Sequence, residues 1–362
     1  MAVRSNLGRP GLGRSGLGRP SLGRPSLGRS ALALVAVAVA LTSLVACGGR
    51  QQTASPAPGT GAASCEITTE RRISIATGNT GGVYYVLGGG LAEAVSAATG
   101  GKLKATAAET GASVQNIQQL VAGKYQVAFS LADTAADATN GTGSFAGTPQ
   151  PITALARLYP NFSQVVVRAD AGVTTLADLR GKRVSTGSPK SGTEVIANRM
   201  LQAAGLNPET DLAAQRLDIG ASVDGMKDGR IDAMFFSGGL PTPNLTDLFT
   251  SLGNKVRLLD TSAFLGALRG INPVYDVATI PASTYPGATD TPTIVVPNLL
   301  VASQSLDDAT ACMLTTTLFE RKADLVAINP AADGITLQQA RNTAPVPLHP
   351  GAKQALNTLG AP

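Results

Sequence analysis

Four short stretches combine glycine with hydroxyl side chains: Thr77-Gly78-Asn79-Thr80-Gly81-Gly82, Thr110-Gly111-Ala112-Ser113, Thr186-Gly187-Ser188-Pro189-Lys190-Ser191-Gly192-Thr193 and Phe236-Ser237-Gly238-Gly239. Each joins a strand-like run to a segment of helical period. A helix start leaves backbone N–H groups unpaired, and its dipole favours negative charge, so such a turn can hold an anion without a charged side chain. Any one of them also reads as an ordinary tight turn with an N-cap. Four of similar chemistry spread over two halves of the chain point to one shared cleft. Nucleotide chemistry is excluded. Gly187 to Thr193 lacks the lysine a phosphate loop needs after Gly192, and Thr80 takes the second glycine position of a dinucleotide fingerprint.

Catalytic constellations are scarce. The chain has one histidine and no Gly-x-Ser-x-Gly elbow, which argues against a hydrolase triad and for a protein that is not an enzyme. His349, before Pro350, reads as a helix-capping or packed residue. Asp133 and Asp137, four apart, read as a solvated helix face in preference to an acid/base pair. Tyr84, Tyr85 and Tyr159 wall a cleft or fill a core, with Tyr84 favoured for the cleft. Arg157 is a candidate anion partner or a solvated surface residue. One histidine and three cysteines exclude a multi-histidine metal centre and a zinc module; no metal and no cofactor are expected.

These residues need a frame, and the apolar pattern supplies one. Strand-like runs at 72–77, 102–108 and 126–131 alternate with helical spacing at Val83 to Ala98 and Val114 to Val121. A second set follows, with strands at 163–167, 182–186, 214–217 and 231–236 and helices at 191–204 and 223–228. Thr175-Leu-Ala-Asp178 has capping-box form. Gly88, Gly89 and Gly90 interrupt the first helix at about 1 kcal/mol each, so close packing there is the expected compensation. The alternation predicts a parallel sheet with helices on both faces. Gly123 to Phe129 echoes Gly229 to Phe235, suggesting two similar lobes. A long helix over 306–328, opened by a capping box at Ser305-Leu-Asp-Asp308, and a last helix near 351–359 complete the pattern.

The chain has 362 residues, 29 basic and 24 acidic, for a formal charge of +5. Six of the arginines lie in residues 1–46, which hold no acid; the rest is nearly neutral, which removes the footprint of a nucleic-acid binder. With 43% hydrophobic and 15% charged residues the chain can fold. Five Leu-Gly-Arg pentads precede an apolar run, Ala31 to Ala46, short for a membrane span, so residues 1–46 read as a signal peptide. Leu44-Val-Ala-Cys47-Gly resembles a bacterial lipobox, which implies a lipidated Cys47; a transmembrane anchor with an incidental cysteine is the alternative. Residues 47–65 then form a lipidated, flexible tether. Cys65 and Cys312 remain, either as a disulfide or as two separate buried thiols.

The turns, taken in order, resemble the TAXI family of TRAP-transporter solute receptors. The matching stretches are Gly78-Asn-Thr-Gly-Gly-Val-Tyr-Tyr85, Gly111-Ala-Ser-Val-Gln-Asn116, Asn140-Gly-Thr-Gly-Ser-Phe145, Leu176-Ala-Asp-Leu-Arg-Gly-Lys-Arg-Val184, Ser191-Gly-Thr-Glu194, Phe236-Ser-Gly-Gly-Leu-Pro241 and Val346-Pro-Leu-His-Pro-Gly351. Ala112 stands where the family usually has glycine, and the arginine-rich leader is not part of the pattern. The resemblance implies a type II periplasmic-binding-protein fold of class α/β, with a ligand cleft between two lobes: 66–160 with 270–362, and 161–269. It implies a small carboxylate ligand, glutamate-like or dicarboxylate, delivered to TRAP permease membrane subunits by a monomer lipid-anchored on the outer face of the cell membrane. Carried over by position, Thr80, Gly81, Tyr84, Ser113, Ser188, Ser191, Thr193, Ser237 and Gly238 would line the cleft. Delivery to an ATP-driven importer, or a sensor or enzyme module on the same scaffold, are the alternatives.

Overall fold

A computed structural model describes residues 65–362; the leader, Cys47 and the tether up to residue 64 lie outside the described residues. The strands are β1 (Arg71–Ala76), β2 (Leu103–Ala108), β3 (Val127–Leu131), β4 (Ile152–Arg168), β5 (Arg183–Ser185), β6 (Ala213–Gln215), β7 (Ala233–Gly238), β8 (Val256–Leu258), β9 (Asp276–Ile280) and β10 (Thr291–Ser303). The helices are α1 (Val83–Ala98), α2 (Ser113–Val121), α3 (Ala132–Asn140), α4 (Gly192–Ala203), α5 (Ile219–Lys227), α6 (Pro243–Leu252), α7 (Leu265–Ile271), α8 (Asp308–Glu320), α9 (Lys322–Ile328) and α10 (Pro350–Thr358).

The main strand order is β2-β1-β3-β10-β4-β7-β5-β6. At each end the strands are parallel: β1 with β2 and β3, and β5 with β6 and β7. Between them run β10 and β4, antiparallel to each other and to both groups. The expectation of a purely parallel sheet is therefore corrected. The βαβ crossovers fix the direction of each end group, whereas the two longest strands pass from one half to the other. The first part of β4 pairs with Leu299–Ser303 of β10, and its later part, Phe162–Val167, pairs with β7. The result is a mixed α/β sheet whose two parallel end groups are joined through two crossing strands.

β3 (Val-Ala-Phe-Ser-Leu) is buried at every position, as a strand covered on both faces should be. One apolar core runs through the first half, across the crossing strands and into the second half, where it includes Val184, Ile196, Met200 and Leu201. A second gathers Ile219, Val223, Met226, Leu245, Leu248 and Phe249 under the far side of the other half. Two of the three glycines of α1 have a packing reason. A Cβ on Gly88 would strike Thr77 Cγ2, and one on Gly90 would sit 2.5 Å from Ile328 Cδ1 of α9. Gly89 faces open space.

The tail differs from its expected form. Asp307 caps α8 by accepting the Thr310 N–H at 3.0 Å, while the Ser305 N–H is taken by Ser303 Oγ, so no capping box forms at Ser305. The helix expected to run unbroken to Ile328 divides at Arg321, which departs from helical dihedrals. Cys65 and Cys312 are joined as a disulfide, with Cα atoms 5.1 Å apart, tying the start of the described chain to α8. Among the described residues no helix is long and apolar enough to cross a membrane.

Candidate functional site

Three helices open onto one pocket. α1 follows β1 through Gly78 to Gly82, α2 follows β2 through Thr110 to Ala112, and α4 follows β5 through Thr186 to Ser191. The first two lack a side-chain cap, so their leading N–H groups keep free donors, except that Gln115 of α2 donates to the Lys190 carbonyl. α4 is capped by Ser191, whose Oγ accepts the Glu194 N–H at 2.9 Å. Ser237 and Gly238 at the end of β7 close the wall, and Tyr159 and Asn161 of β4 form the floor. The pocket therefore lies between the halves, over the strands that cross them.

Hydrogen-bond accounting shows which hydroxyls are free to donate. Ser113 Oγ accepts the Leu131 N–H, Thr193 Oγ1 accepts the Ser237 N–H, and Ser191 Oγ is the cap just described. Each oxygen is an acceptor in those bonds; the O–H of Ser191 and of Thr193 remains to donate elsewhere, whereas the Ser113 hydroxyl is engaged with the Tyr84 phenol. Ser188 and Ser237 instead spend their hydrogens on Asn79 Oδ1 at 2.8 Å and Asn161 Oδ1 at 2.5 Å. Tyr84 donates to Asn298 Oδ1 at 2.5 Å; Asn298 also accepts from Asn161 and donates to the Tyr159 carbonyl. Tyr159 OH is buried and has no partner.

No Asp, Glu, Lys or Arg lines the pocket. Burial pushes the Tyr84 and Tyr159 phenols well above the usual tyrosine range, so both stay protonated and can act as donors. Apart from Ser222, the rest of the side-chain wall is apolar: Val83, Leu131, Leu217, Ile219, Phe235 and Phe236. The two halves touch over the mouth. Besides Ser188 to Asn79, the Gln115 N–H donates to Lys190 O at 3.0 Å. A Cβ on Gly192 would lie 2.6 Å from Ser113 Oγ, and one on Gly81 would strike Asn244 of α6, so glycine at both places permits the approach. An enclosed, charge-free cavity with surplus donors at helix starts suits an anion. Among the described residues no cluster could hold a metal ion.

Residues 75–360 match the profile of the NMT1-like family. The chain belongs to the NMT1-like family. Among solved structures, this NMT1-like chain is similar to the alkanesulfonate-binding protein SsuA of Xanthomonas axonopodis pv. citri bound to MOPS. The identity is 15%, over 80% of this chain and 84% of that one, with a TM-score of 0.47. It is also similar to the binding protein component of an ABC phosphonate transporter of Pseudomonas aeruginosa. There the identity is 12%, over 72% and 79% of the chains, with a TM-score of 0.49.

Of the nine residues expected to line the cleft of this NMT1-like protein, seven do: Tyr84, Ser113, Ser188, Ser191, Thr193, Ser237 and Gly238. Thr80 and Gly81 do not. Thr80 is exposed, with its N–H directed at Glu109 Oε1, and Gly81 is turned to Asn244 of the other half. Tyr84 both lines the pocket and belongs to the core; Tyr85 is exposed. Arg157 opens on a different cleft, beside Arg269 and Arg341. His349 caps α10 by accepting the Gly351 N–H and packs against Leu306 O.

Asp133 and Asp137 are not a solvated face. Both are buried, and Arg199 of α4 holds them, through Nη1 to Asp133 at 3.0 Å and Nη2 to Asp137 at 2.5 Å, with Tyr275 OH also on Asp133. The partner cation lies on another helix, beyond the reach of an i,i+4 argument. Asn79, Tyr159, Asn161 and Ser222 carry the remaining polar surface of the pocket. Asn79 was legible as part of its glycine turn; Asn161 carries no local signal inside an apolar strand.

Proposed function

We propose that this protein is an extracytoplasmic solute-binding receptor that captures a small carboxylate between its lobes and hands it to a membrane permease. The observation that carries this reading is the pocket between the halves, free of charged side chains, where three helix starts and the spare hydroxyl hydrogens of Ser191 and Thr193 converge. A carboxylate enclosed there is satisfied by aligned dipoles. No nucleophile and base are paired in the pocket wall, which supports binding without turnover.

Within the NMT1-like family we place the chain with the TAXI receptors, on the ordered motifs from Gly78 to Gly351, and the permease with the ion-coupled TRAP class. We take residues 66–160 with 270–362 as one lobe and 161–269 as the other, closing as a monomer about β4 and β10. The lipobox reading anchors the mature protein through Cys47 to the outer face of the membrane.

A thermal-shift screen across anionic metabolites tests the reading. The ligand raises the melting temperature in proportion to the logarithm of its concentration. Ser191→Ala lowers affinity about tenfold by removing a charge-assisted bond, and costs about 1 kcal/mol as a lost cap. A screen in which no carboxylate shifts the transition would contradict the proposal.

A further inference from the structure

The charge inventory of the pocket narrows the ligand further than the word carboxylate; this step rests on the carboxylate reading above. A buried ammonium group needs an anionic or accepting partner, and an unpaired one is strongly disfavoured. The pocket wall offers no anionic one. Its side-chain amide oxygens each already accept one hydrogen bond, Asn79 Oδ1 from Ser188 and Asn161 Oδ1 from Ser237. The nearby carboxylate of Asp133, whose charge is felt at Tyr84, is committed to Arg199, Tyr275 and the Thr134 N–H. Glu194, one residue beyond Thr193, is held by Arg216 and the Lys190 N–H.

A second carboxylate fares little better. The two hydroxyls with hydrogens to spare, Ser191 and Thr193, sit together at the start of α4, enough for one anionic group, and no cation stands elsewhere in the wall. What remains is apolar surface, from Val83, Leu131 and the two phenylalanines Phe235 and Phe236. Two polar side chains interrupt it, Ser222, whose hydroxyl donates to Asp218 O, and Tyr159. Tyr159 OH is a buried donor with no partner in the protein, an arrangement that folded proteins retain at a cost unless something binds there.

We propose that the pocket selects a monocarboxylate with an apolar body and no amino group, and that the Tyr159 hydroxyl donates a hydrogen bond to an oxygen of that ligand. A short branched 2-oxo acid has this chemistry: one charge, a compact apolar chain and a neutral oxygen acceptor.

Isothermal titration of the folded protein, freed of co-purified ligand, against a panel of acids tests this. The panel holds short-chain monocarboxylates, 2-oxo acids including 4-methyl-2-oxopentanoate, the matching amino acids including leucine, and the dicarboxylic acids succinate and glutamate. A monocarboxylate of the panel is expected to bind on the order of 100-fold more tightly than the amino acid of the same skeleton. Tyr159→Phe is expected to weaken that binding about tenfold while leaving the ligand-free melting temperature unchanged or raised, because it removes an unpartnered buried hydroxyl. Leucine, glutamate or succinate binding as tightly as every monocarboxylate overturns this inference and leaves the carboxylate receptor standing. Unchanged affinity in Tyr159→Phe overturns the role of that hydroxyl. Failure of every acid in the panel to bind overturns the carboxylate reading itself.

Discussion

Ala112 sits at the start of α2 with φ 78° and ψ −149°, a region essentially reserved for glycine. Holding alanine there costs about 1–3 kcal/mol, and Ala112 lines the pocket beside Ser113. Ala112→Gly is therefore expected to raise the free energy of unfolding by about 1 kcal/mol, read by urea denaturation, with ligand affinity retained. A destabilised variant would show that the methyl group's packing outweighs the backbone strain. The chemistry of such turns was legible in the sequence because it is local: glycine, hydroxyl and helix start lie within eight residues. Tyr159 and Asn161 lie in an apolar strand far along the chain, where only tertiary pairing with β10 and β7 shows that their polar atoms face a cavity.

At the scale of elements, α1 carries three consecutive glycines with different roles. Gly88 and Gly90 are pressed against Thr77 and Ile328, so a side chain at either would force the helix from its seat. Gly89 meets nothing within 4 Å. Gly89→Ala should stabilise the protein by about 0.5–1 kcal/mol, the propensity difference in an exposed helix interior, whereas a loss on denaturation would mean that this face is occupied. The βαβ units were legible because helix and strand periods alternate cleanly. The crossing strands were read only in part. β10 carries Pro292 and Pro297, residues that signal strand breaks, and its register shifts between Pro297 and Leu299. β4 holds Pro160 where it passes between the halves, so its first part gave no expectation.

At the scale of the molecule, Arg199 joins α4 of one half to Asp133 and Asp137 of the other. Burial raises the Asp137 carboxyl above its ordinary value near 3.8, outweighing the Arg199 guanidinium that favours the charged form. A raised acid binds its proton more tightly in the folded state. Its stabilising contribution is complete below pH 3.8 and is lost as pH rises through the higher folded value. Asp137→Asn should flatten the fall in stability above pH 3.8, measured as denaturation midpoints across a pH series. An unchanged slope would mean that Asp137 does not titrate above its ordinary range. The sequence showed the two aspartates on one helix face but not the arginine 62 residues further on that buries them.

The two halves are proposed to enclose one small acid between their glycine turns. Native mass spectrometry of the mature protein, before and after incubation with carboxylic acids, tests it most directly. The account predicts a single added mass matching one small carboxylic acid, present as purified or acquired on incubation, and reduced in Ser191→Ala. A protein that stays at its bare mass with every acid, or that takes up several acids without saturating at one, would contradict it.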